Sequence, residues 1–138
     1  MNWKLIFSLL PFGFVMGVAS VFGLTQGIEW LLWLIIAVVC AFVVSRRLQT
    51  KHFPTALLVG FSMSLLNGVI QSAFFNTYLS NNTMAAQGFK QIPGGLDPRF
   101  FILVSSLVIG IVYGAVIGLF TLLVRKFSKG VANQSPTT

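Results

Sequence analysis

Four long apolar stretches with no charged residue in their central parts dominate the chain: Leu5–Leu24, Ile28–Ser45, Phe53–Leu79 and Phe100–Val124. Each approaches the ~20 residues that a helix needs to cross a hydrocarbon core about 30 Å thick. Transmembrane strands would alternate apolar and polar residues over segments of ~10, and these runs do not alternate. The pattern therefore predicts an all-α integral membrane protein. Its single domain is a four-helix bundle over residues 1–127, with an external loop over 80–99 and a polar, disordered tail over 128–138. Lys4, the run behind it and Gly17-Val18-Ala19-Ser20 have the outline of a signal peptide. The run stays apolar past that point, so it is read as a retained span.

Helix signals agree with these runs. Asp97-Pro98 pairs a capping side chain with a ring preset to the helical angle, and Pro54 suits the start of the third helix. Glu29 falls in the first turn of the second helix, where a negative charge complements the dipole. Pro11 lies inside the first run, which predicts a kink near Phe7 to Pro11. The external loop is read as a polar start, a short helix over Met84–Phe89 and a turn at Pro93-Gly94-Gly95.

Polar and small residues inside the runs are also patterned. Gly60, Ser64, Gly68 and Ser72 recur every fourth position in the third run, as do Ser106, Gly110, Gly114 and Gly118 in the fourth. Such stripes allow two backbones to approach closely, so they are expected to form the seam of an antiparallel hairpin. Gly13 and Gly17 form a similar pair in the first run. Asn67 and Gln71, one turn apart, cannot face lipid without losing hydrogen bonds, and with Tyr113 they form the candidate intramembrane polar site. Aligning the run centres, near Leu66 and Val112, places Asn67 level with Tyr113. That alignment predicts a hydrogen bond from the Tyr113 hydroxyl to Asn67 or Gln71.

Composition removes most other classes. The 138 residues are 56% hydrophobic and 8% charged, with a net charge of +7. Lys4, Arg46, Arg47, Lys51, Arg125, Lys126 and Lys129 fall on the side of both termini, whereas Lys90 and Arg99 on the other side are balanced by Glu29 and Asp97. The positive-inside rule then puts both termini in the cytoplasm. The basic excess is read as contact with anionic headgroups rather than with nucleic acid.

Catalytic material is scarce: the chain holds one His, one Cys, one Asp and one Glu. Cys40 and His52 fall on one side of the bilayer and Glu29 and Asp97 on the other, so no catalytic, metal or cofactor site is expected. His52, beside Lys51, is read as solvated, and Cys40 as a small buried residue. Trp3, Trp30, Trp33 and Tyr78 are read as interfacial anchors.

Gly60, Asn67 and Gly68 in the third helix, the Phe74-Phe75-Asn76-Thr77-Tyr78 exit, the Asp97-Pro98 entry and the glycine-rich fourth helix resemble small bacterial four-span membrane proteins grouped as a family of unknown function. The resemblance implies a bacterial inner membrane and carries over no functional residues. The expected role is that of a non-enzymatic accessory or assembly component, acting through helix packing or the external loop, with a membrane-protein partner or a second copy. The alternative is a small uncoupled channel or carrier for neutral or small solutes.

Overall fold

A computed structural model describes residues 2–92 and 94–132, with side chains through 128. Every regular element among them is helical: α1 (Trp3–Val21), α2 (Glu29–Arg47), α3 (His52–Ala73), α4 (Phe75–Asn81), α5 (Thr83–Phe89) and α6 (Pro98–Ala132). Four of these, α1, α2, α3 and Pro98–Ser128 of α6, are long and apolar enough to cross a membrane. The chain is thus an all-α bundle with four candidate spans.

Local chemistry accounts for several boundaries. The Asn2 side chain accepts a hydrogen bond from the Leu5 amide at 3.2 Å, and the Asp97 carboxylate accepts one from the Arg99 amide at 2.9 Å, so α1 and α6 each begin on a polar cap. Gly23 closes α1 at φ +70, and a Cβ there would also strike the Asn81 carbonyl. Arg46 and Arg47 occupy the last turn of α2, where they complement the dipole. α1 runs unbroken through Pro11. α6 continues to Ala132, past the expected start of the tail; residues 133–138 lie outside the described set, as does Pro93 of the expected turn.

One boundary differs from the hydropathy pattern. The run Phe53–Leu79 is not a single helix, because α3 ends at Ala73 and the chain turns at Phe74 (φ −103, ψ 35) into α4. No glycine or proline marks the break. It is held by tertiary bonds: Asn81 Nδ2 donates to the Val21 carbonyl at 3.1 Å, and Asn82 Nδ2 to the Ser20 carbonyl at 2.8 Å. α4 is thereby drawn across the end of α1.

α3 is the hub, packing on α6 along one side and α1 along another, while α2 leans on α6 and touches α3 and α1 lightly. α1 runs parallel to α3, and α6 antiparallel, so residues 2–4, 48–55 and 125–128 share one end of the bundle. The apolar core sits toward that terminal end: Leu5, Ile6 and Leu9 of α1, Cys40, Ala41 and Val44 of α2, Val59 and Met63 of α3, and Ile117 of α6. The opposite, loop end is covered by α4 and α5, where Phe75, Phe89 and Phe101 stack edge to face with centroids 5.6 and 6.3 Å apart.

Candidate functional site

The α3–α6 contact is made by the small-residue stripes. A Cβ on Gly60 would collide with the Gly114 backbone, one on Gly114 with Leu57, one on Gly68 with Ser106, and one on Gly118 with the Phe53 ring. Ser64 faces Gly110 and donates its hydroxyl to the Ser106 carbonyl at 3.0 Å. Ser72 reaches the Arg99 carbonyl at 3.4 Å, at the loop end of the same contact. Gly13 and Gly17 approach α3 in turn, at Met63 and at Asn67 and Ile70.

α2 carries a shorter small-residue stripe without glycine, Ala37, Ala41 and Ser45, and it is buried over only part of its length. Its buried residues are Ala37, Cys40, Ala41 and Val44, from the middle of the helix toward the terminal end. No residue over 29–36 is buried, although Trp33 and Ile36 pack against the edge of the core, and between α2, α3 and α6 lies a cavity of about 840 Å³. α2 residues Trp30, Trp33 and Leu34 form one wall, Ile102, Ser105 and Ile109 of α6 the other, and Asn67 and Gln71 of α3 the back; Tyr78, Met84 and Phe89 bound it at the loop end. At the other end it stops against Ala37 and Val116, beyond which lies the close-packed core.

All three residues of the candidate polar site line this cavity, but the expected hydrogen bond among them is not formed. The Tyr113 hydroxyl donates instead to the Trp33 carbonyl at 2.8 Å, and the two rings meet edge to face with centroids 4.9 Å apart. The cause is register. With Gly60 opposite Gly114, Ser64 opposite Gly110 and Gly68 opposite Ser106, Asn67 is level with Leu107. Tyr113 is a further six residues along α6, about 9 Å at 1.5 Å per residue. Carrying α3 to Leu79 had displaced its apparent centre. Gln71 donates through Nε2 to Ser20 Oγ at 2.9 Å, tying α3 to α1. Asn67 Oδ1 is buried and has no hydrogen-bond partner among the described residues.

Glu29 belongs to the same site, although its place in the first turn of α2 reads as helix capping. Its carboxylate accepts from the Trp33 indole at 3.4 Å, with the Ser20 hydroxyl as a further polar neighbour, and Glu29 lines the cavity. Trp33, expected as an interfacial anchor, faces inward for the same reason. The signal available in the sequence was the i, i+4 spacing of Glu29 and Trp33, which puts them on one helix face.

His52 also departs from expectation: it is buried rather than solvated, at 4% exposure. Arg125 can only donate, so its 3.0 Å contact makes His52 Nδ1 the acceptor, and Nε2 carries the hydrogen given to the Leu48 carbonyl at 2.7 Å. The imidazole is thus a clamp joining the end of α2, the start of α3 and α6 at the terminal end. Cys40 is fully buried in the core, and among the described residues no three of His, Cys, Asp or Glu come together.

Fold and site together define a multi-span helical protein with an apolar cavity open in one half and a close-packed other half. No protein-family model matches the chain, and no curated protein or solved structure matches it either.

Proposed function

We propose that the protein is a non-enzymatic accessory component of a bacterial inner membrane that holds a lipid-soluble guest in the cavity between α2, α3 and α6. The observation that carries this reading is the one-ended shape of the cavity. About 840 Å³ lined mainly by apolar and aromatic side chains is within the usual size of a small-molecule site. Beyond it, Cys40, Ala41, Val44, Val59, Met63 and Ile117 have no exposed surface. A guest can be received there, and among the described residues the cavity does not continue through the packed half.

The basic excess supports placing both termini in the cytoplasm, so the cavity lies in the outer half of the membrane. Lys4 and Lys51 flank a second pocket with Trp3 at the terminal end, a surface suited to anionic headgroups. The small-residue stripes are engaged inside the chain, which leaves the outward apolar faces of α1, α2 and α6 for lipid, a partner protein or a second copy.

The carrier reading retains one observation in its favour, that Asn67, Gln71 and Tyr113 all line the same cavity. Gentle extraction followed by native mass spectrometry separates the two. The binding reading expects a particle carrying a small molecule that is absent after Ser105→Trp with Ile109→Trp, and solute flux at background in liposomes. Flux abolished by the same double substitution would overturn it in favour of a carrier.

A further inference from the structure

The lining of the cavity has a sign. Glu29 is its only ionisable carboxylate, and among the described residues that line it none is Lys, Arg or His, in a chain whose net charge is +7. The walls present Trp30, Trp33, Tyr78, Phe89, Phe101 and Tyr113, whose ring faces carry partial negative charge. Several donors on the lining are already engaged by the protein itself: the Trp33 indole by Glu29, the Tyr113 hydroxyl by the Trp33 carbonyl, Gln71 Nε2 by Ser20, and the Ser64 hydroxyl by the Ser106 carbonyl. Asn67 Oδ1, an acceptor, is left buried without a partner. A carboxylate in apolar surroundings with no cation beside it is costly unless something positive neutralises it.

From this charge complementarity we infer that the guest is a lipophilic organic cation, its charge held by Glu29 and the aromatic faces and its apolar body by the α2 and α6 walls. The inference rests on the cavity being a binding site. Cation–aromatic attraction strengthens when both partners are desolvated, and a site at membrane depth between helices provides that condition. An anion would meet the Glu29 carboxylate and the π faces together. A neutral molecule of the same shape would gain only the apolar contacts.

Three probes of one shape isolate the charge: tetraphenylphosphonium, tetraphenylborate and neutral tetraphenylmethane, titrated into full-length protein in nanodiscs of phosphatidylcholine and read by the fluorescence of the indoles, with empty nanodiscs subtracted. The expected result is binding of the phosphonium about tenfold or more tighter than of the borate, a difference of ~1.4 kcal/mol. Glu29→Gln should remove most of that preference, leaving only the share due to the ring faces, while the neutral probe still binds, and Glu29→Asp should keep more of it. Retained neutral binding by Glu29→Gln also shows that the variant is folded. If Glu29→Gln is unfolded, Trp33→Phe, which removes the donor to the carboxylate but keeps an aromatic wall, should still prefer the cation. Neutral binding with no preference for the cation, or a preference undiminished by Glu29→Gln, would overturn the inference and leave the cavity reading standing. Binding of none of the three would overturn both.

Discussion

The two halves of this bundle are built from the same kinds of residue and packed to opposite ends. In the terminal half, four helices meet around Val59, Met63, Cys40 and Ile117, and backbones touch at Gly60 and Gly114. In the loop half, α1 and α6 still pack on α3, but no residue of α2 before Ala37 is buried, and a cavity takes the place of a core. What separates them is the side-chain size on α2. Ala37, Cys40 and Ala41 let that helix close on its neighbours, whereas the larger Glu29, Trp30 and Trp33, a turn or two earlier, line the cavity. Tyr113 marks the border, bonding to the Trp33 carbonyl where the helices begin to part. Packing density in a membrane bundle is therefore set locally, one helix turn at a time, since lipid supplies no hydrophobic force to close a gap.

The strongest way to break the comparison is at the seam. Gly114→Leu pushes a branched side chain into the Leu57 backbone and should cost about 3 kcal/mol or more, seen as loss of folded protein in detergent. Gly88→Leu in α5, where a Cβ would meet nothing within 4 Å, is the control and should leave the folded yield unchanged. Next in size is a paired truncation. Met63→Ala in the packed half should lose about 2–5 kcal/mol in reversible unfolding, and Ile109→Ala on the cavity wall about 1 kcal/mol or less, because no new void is made where one already exists. Equal losses would mean that the two halves are equally dense.

The smallest effects concern the amides at the back of the cavity, and they differ in sign. Gln71→Leu removes the bond to Ser20 and should cost about 1 kcal/mol, with faster proteolysis at the α4–α5 cover. Asn67→Leu removes an acceptor that has no partner and should be neutral or mildly stabilising in unfolding measurements. A loss at Asn67 as large as at Gln71 would show that both act as ties between helices.

How far the sequence foretold this depends on the range of the interaction involved. The spans were legible because a helix in lipid needs an unbroken apolar run, and the start of α6 because Asp97 caps it from two residues away. The end of α3 was hidden because Phe74 resembles its neighbours, and the break depends on Asn81 and Asn82 finding α1 some 60 positions earlier in the chain. From that one hidden boundary came the misplaced register and the wrong partner for Tyr113. His52 was misread for a similar reason, since its neighbour in sequence is a lysine and its neighbour in space is Arg125. The cavity has no signature of its own. It follows from where α2 can approach, which is decided by three helices together.

The contrast between halves is tested most directly by thiol accessibility in the folded protein. Cys40, the chain's one cysteine, lies in the packed half, and Ser105→Cys would place a second thiol on the cavity wall. Exposed to a small membrane-permeant organomercurial and weighed intact, folded wild-type protein should carry no adduct, the Ser105→Cys variant one, and each should gain one more on unfolding. Rapid modification of Cys40 in the folded wild type, or no adduct on folded Ser105→Cys protein, would contradict a bundle that is hollow in one half and closed in the other.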